Sequence, residues 1–169
     1  MHSRRLLVTM GLVAVAALSV GGSKAGAQSG RKNFRAELEG AQETPAISTE
    51  GTGEFRARLD DSGTQLEYEL QYSGLEGGNT LFAHVHIGQT GVAGGVMFFL
   101  CGGGGKPACP NGEATINGTV TAANVIGPAG QGISAGQFDE AVRAMRNGLA
   151  YANVHTTSFA SGEIRGQIK

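Results

Sequence analysis

Residues Gln65–Tyr72 read QLEYELQY, with Leu66, Tyr68, Leu70 and Tyr72 alternating with Gln65, Glu67, Glu69 and Gln71. Successive side chains of an extended strand point to opposite faces, so this segment predicts a half-buried antiparallel strand with one apolar and one wet face. The same period of two continues outward toward the N-terminus. Phe55, Ala57 and Leu59 alternate with Glu54, Arg56 and Arg58, and Phe34, Ala36 and Leu38 alternate with Arg35, Glu37 and Glu39. Asp60-Asp61-Ser62-Gly63 supplies a hairpin turn between two of these strands. Toward the C-terminus, Gly94–Leu100 (GGVMFFL) is apolar throughout and predicts a central strand. Ala114–Val120 (ATINGTV) alternates again, and Glu163–Ile168 (EIRGQI) predicts a short last strand. With Leu81–Gly88 and Tyr151–Thr156, the count reaches about eight strands.

One segment departs from this pattern. Ser134-Ala135-Gly136-Gln137 reads as a capping box, with Ser134 as N-cap and Gln137 reaching back. Phe138, Ala141, Val142 and Met145 recur at helical spacing and Gly148 fits a stop, which predicts a helix over Gln137–Asn147. Many strands and one late helix imply an all-β Greek-key sandwich or barrel of about eight antiparallel strands.

The first residues have a different character. Arg4 and Arg5 precede an apolar run from Leu6 to Val20, and Ala25-Gly26-Ala27 has the form of a signal-peptidase site. Residues 1–27 are therefore expected to be a cleaved signal peptide, 28–32 a short tail and 33–169 the folded domain, in the periplasm or secreted. Arg4-Arg5 before Leu6-Leu7 also has the form of a twin-arginine export signal, although paired arginines are ordinary charge ahead of an apolar run. Fifteen apolar residues are short for a membrane span, and no later run is longer. After cleavage 142 residues remain with 10 basic and 14 acidic side chains, a net charge of −4. No basic stretch tracks a phosphate backbone, so nucleic acid is not expected as a partner.

Cys101 and Cys109 flank a run of four glycines, Gly102–Gly105. Outside the cytosol such a pair reads as a disulfide. A loop this short gains about 2.5 kcal/mol from the crosslink.

The chemistry-bearing residues are the histidines. Beyond the expected signal peptide they are His84, His86 and His155. Alternation puts His84 and His86 on one face of their strand, opposite Ala83, Val85 and Ile87. Tyr151, Asn153 and His155 likewise share a face opposite Ala152 and Val154. Three co-facial imidazoles from rigid strands suit Cu or Zn and leave an open position. If the strands pair, the ring nitrogens should converge within about 3–4 Å, and affinity should fall below about pH 6.5. Asn153, Glu163 and Glu43 are candidates to orient the rings. Glu163 and Arg165 read as a same-face ion pair. The alternatives are that the histidines make structural hydrogen bonds only, or that they form a binding patch without metal. No G-x-S-x-G elbow and no P-loop is present.

Three blocks carry a resemblance. Gly40–Pro45 (GAQETP), Ala83–Gly88 (AHVHIG) followed by Gly91, and Tyr151–Ile168 (YANVHTTSFASGEIRGQI) resemble, in order, the signature blocks of the CHRD domain. That domain is named after chordin, a secreted growth-factor antagonist, and single copies occur in bacterial exported proteins. The resemblance spans Asn33–Lys169 and implies an extracytoplasmic β-domain. The chain has one copy and none of chordin's cysteine-rich modules, so antagonism is not implied. His84-Val85-His86 and Val154-His155 also resemble the copper-binding strands of copper/zinc superoxide dismutase, a Greek-key barrel. This second resemblance implies a single-metal site. No histidine lies between His86 and His155 to build the dismutase zinc loop. Arg165 would have to serve as its superoxide-guiding arginine. The expected function is a non-catalytic exported module that binds Cu or Zn, or an envelope or extracellular protein or ligand. The alternatives are a copper-dependent redox enzyme of dismutase type and a purely structural envelope or matrix domain.

Overall fold

The computed structural model describes residues 30–169, so the expected signal peptide lies outside the described residues. Eight strands form one antiparallel sheet: β1 (Asn33–Glu39), β2 (Thr52–Leu59), β3 (Leu66–Ser73), β4 (Thr80–Ile87), β5 (Val96–Cys101), β6 (Ala114–Val120), β7 (Ala150–Thr156) and β8 (Ile164–Gln167). Their spatial order is β5-β4-β7-β8-β1-β2-β3-β6. The end strands β5 and β6 approach one another, which curls the sheet into a nearly closed barrel. Around that seam β3, β6, β5 and β4 follow one another, the Greek-key order for four consecutive strands.

The alternation decides which way each strand faces. Leu66 pairs with Leu59, Tyr68 with Ala57 and Leu70 with Phe55, so the apolar sets of β2 and β3 coincide. A slip of one residue would turn the apolar set of the slipped strand outward. These residues join Leu38, Val85, Phe98, Leu100, Val154 and Ile164 in a continuous core, with Phe55, Leu66 and Leu70 fully buried. Each such side chain contributes roughly 1.5–3 kcal/mol. The β2–β3 turn closes where expected: the Asp60 carboxylate accepts from the Thr64 and Gln65 amides, and Gly63 takes a φ of 75°.

The helix α1 runs over Phe138–Arg146 and buries Phe138, Ala141, Val142 and Met145, the face its spacing indicates. Its start corrects the sequence reading. Gln137 does accept from the Ser134 amide at 2.6 Å, yet Ser134 is not the N-cap. Gly136 sits at φ 83°, a left-handed conformation that interrupts the helical path. The capping-box contact therefore closes a turn ahead of the helix.

Cys101 and Cys109 are disulfide-bonded. The ring of Phe99 packs against the glycine loop between them, so a Cβ at Gly103 would lie 2.4 Å from it.

Candidate metal centre

β4 and β7 are paired neighbours, second and third in the sheet order, with His84 opposite Asn153, His86 opposite Tyr151 and Phe82 opposite His155. Ala83, Val85, Ala152 and Val154 point into the core and are fully buried. The histidines therefore stand on the outer face of the barrel. Three loops cover that face. His84 is nonetheless only 6% exposed, His86 8% and His155 7%.

Each loop is tied to the sheet by a polar contact. From the loop after β4, the Gly94 carbonyl accepts from His86 Nδ1 at 2.8 Å, and its amide donates to the Tyr151 hydroxyl at 3.1 Å. The Gln89 and Val92 carbonyls of the same loop accept from Arg165 Nη2, each at 3.0 Å. From the loop between β7 and β8, the Ala160 carbonyl accepts from His155 Nδ1 at 3.0 Å. From the loop after β1, Glu43 accepts from Asn153 Nδ2 and Thr44 Oγ1 accepts from Arg165 Nη1.

A carbonyl only accepts, so Nδ1 of His86 and of His155 must each carry the proton. In the neutral ring that leaves a lone pair on Nε2. Both Nε2 atoms are buried without a hydrogen-bond partner, as is Nδ1 of His84. The ring centroids of His84 lie 4.5 Å from His86 and 4.4 Å from His155. One ligand atom from each ring falls within 4.8 Å of the other two. This is wider than the separation expected from the strand pairing. Two nitrogens on one ion at about 2.0–2.1 Å stand at most about 4.2 Å apart. Rotation of the rings within their loop contacts must close the difference. Donor type and tautomer fit a borderline metal ion.

Burial keeps the rings neutral. Loss of water around His84, reinforced by His155 and His86 beside it, pushes its pKa down to about 2. Burial takes His86 down to about 4, although the Gly94 carbonyl and the Asn153 side chain work the other way, and also lowers His155 against the pull of the Ala160 carbonyl. The neutral, metal-binding form thus persists well below the pH 6.5 expected for an ordinary imidazole.

The surrounding residues differ from expectation in part. Asn153, Glu43 and Arg165 do lie beside the cluster, but backbone carbonyls orient the rings. Burial raises the Glu43 pKa to about 7, against the opposing pull of Arg165 and of hydrogen bonds from Thr44 and Asn153. Glu163 does not pair with Arg165 and does not reach a histidine. It precedes β8, so strand alternation does not hold it beside Arg165. Its carboxylate accepts from Thr49 Oγ1, Thr156 Oγ1 and the Glu76 and Gly77 amides. Burial would raise its pKa, and those four donors outweigh it and hold the carboxyl below the ordinary range.

Aromatic rings complete the setting. Tyr151 stacks flat on His86 at 4.6 Å, and the Arg165 guanidinium lies 3.5 Å from the Tyr151 centroid. Phe99 meets His84 edge-on at 5.1 Å, and Phe82 flanks both His84 and His155. The shared face of Tyr151, Asn153 and His155 was readable from alternation; the roles of Phe82, Phe99, Gly94 and Ala160 were not. A surface trough of about 750 Å³ lies elsewhere: Arg35, Arg56, Arg58, Glu67 and Glu69 line it, and no histidine does.

No curated protein and no solved structure gave a match. The sequence profile of the CHRD domain matches residues 34–168, which include all eight strands but for Asn33, the three histidines and the three loops that cover them. The chain belongs to the CHRD-domain family.

Proposed function

We propose that this protein is an exported, non-catalytic binding module that holds one Cu or Zn ion on His84, His86 and His155. The observation that carries the reading is a cluster of three buried imidazoles, each with a ring nitrogen that has no hydrogen-bond partner, whose ligand atoms lie within 4.8 Å of one another. A buried polar atom left unpaired costs about 1–3 kcal/mol, and a shared ion removes three such costs together. A purely structural role accounts for Nδ1 of His86 and of His155, which anchor loops, but gives the remaining nitrogens nothing to do. Export is supported by the disulfide and by the character of residues 1–27.

The dismutase-type alternative needs an arginine offered to an incoming anion. Arg165 is 2% exposed and spent on two carbonyls and the Tyr151 ring. That geometry favours a holding site over superoxide chemistry.

Calorimetric titration of the purified apo-protein with Cu and Zn tests the reading. The wild type is expected to bind one equivalent, and His155→Ala to lose roughly 100-fold or more in affinity. Absence of binding heat with both metals would refute it.

A further inference from the structure

We infer that the site selects monovalent copper over divalent copper and zinc. The inference rests on the metal reading of His84, His86 and His155 and adds the ion's charge to it.

The first argument is the charge of the ligand set. Among the described residues these three histidines are the one group of His, Cys, Asp or Glu arranged to share an ion. They are neutral, and no carboxylate or thiolate joins them. Both cysteines are consumed in the disulfide. A divalent ion here would keep its full charge.

The second argument is the charge around the set. Arg165 stacks on Tyr151, which stacks on His86, so a cation stands one ring away from a ligand. Glu43, the carboxyl that faces Arg165, is engaged with Asn153, and its raised pKa leaves it partly protonated near neutrality. Glu163 is committed to four donors of its own.

The third argument is dryness. The unpartnered nitrogens of all three rings are out of contact with water, and Phe82 and Phe99 wall the cluster. The cost of placing an ion in a low-dielectric site grows with the square of its charge, so a divalent ion costs about four times as much as a monovalent one. Divalent Zn and Cu ordinarily offset this with anionic ligands or a retained water. Cu(I) needs neither, because its single charge costs less to bury and three neutral nitrogens are enough ligands for it. Imidazole binds both copper and zinc, so ligand softness alone does not decide. The charge balance does.

The test compares affinities in the full-length protein. Cu(I) is titrated anaerobically in competition with bicinchoninate, and Zn(II) and Cu(II) are titrated by calorimetry. Cu(I) is expected to bind at least about 100-fold more tightly than either divalent ion. Arg165→Gln, which removes the neighbouring cation, and Phe82→Ala, which admits water at a rim residue already 39% exposed, are both expected to narrow that ratio by about 10-fold. Thermal melts establish that each variant is folded, and Phe82→Ala keeps the test alive should Arg165→Gln fail to fold. If Zn(II) or Cu(II) binds as tightly as Cu(I), or if the ratio is the same in every folded variant, the inference is overturned while the metal site stands. If no ion binds, both readings fall together.

Discussion

Burial acts on Glu43 and on the histidines with opposite consequences for stability. The Glu43 pKa is raised to about 7, so its contribution is complete below the ordinary value of 4.5 and is lost as pH rises through about 7. Glu43→Gln keeps an acceptor for Asn153 and cannot ionise. The variant should match the wild type at pH 5 and exceed it in stability at pH 8, as urea midpoints at the two pH values will show. For His84 and His86 the folded pKa values are lowered, to about 2 and about 4. Their contribution is therefore present above about pH 6.5 and lost as pH falls toward 4. The metal-free wild type should weaken steadily over that window. In the Glu43→Gln background, which removes the opposing titration, a urea midpoint unchanged between about pH 6.5 and 4 would show that the rings are not buried as described. The residue types and spacing were readable directly, but the downward shift was not, because the sequence does not say that loops cover the outer face.

At the scale of elements, the faces of β3, β4 and β7 follow from alternation alone, since a strand has only two sides to offer. The clamps on the histidines were not legible. They are backbone carbonyls, which every residue carries, and the Gly94 and Ala160 carbonyls differ from others only in where the loops place them. Ser134 misled for a related reason, because the capping pattern is local and Gly136 breaks the path between it and the helix. The Gly94 loop has a sharp test. A Cβ there would lie 1.6 Å from the Ile87 carbonyl oxygen, so Gly94→Ala must displace the loop. The expected result is a folded protein with metal affinity reduced about 10-fold, read by calorimetry alongside circular dichroism. The disulfide loop offers a second test. Replacing Cys101 and Cys109 together with Ser should cost about 2.5 kcal/mol in urea unfolding, and the loosening should be felt at Phe99 first, since its ring rests on that loop.

For the whole molecule, the core and the candidate centre lie back to back on the same two strands. Leu70→Ala should cost about 2–5 kcal/mol and leave the metal affinity of the folded fraction unchanged, because Leu70 is buried in the core while the histidines stand on the outer face of the barrel. Altered affinity would mean that the barrel and its outer face are mechanically coupled. Along β4 the even-numbered residues Phe82, His84 and His86 serve the chemistry while the odd-numbered Ala83 and Val85 serve the fold; along β7 the parity is reversed. Point mutation can consequently rewrite the ligand set at a few positions while the barrel persists. A single-codon insertion or deletion within residues 80–87 or 150–156 exchanges the two parities, drives imidazoles into the core and turns core side chains outward. In lineages descending from this chain, the length of these two strands is expected to vary far less than the residues on their outer face.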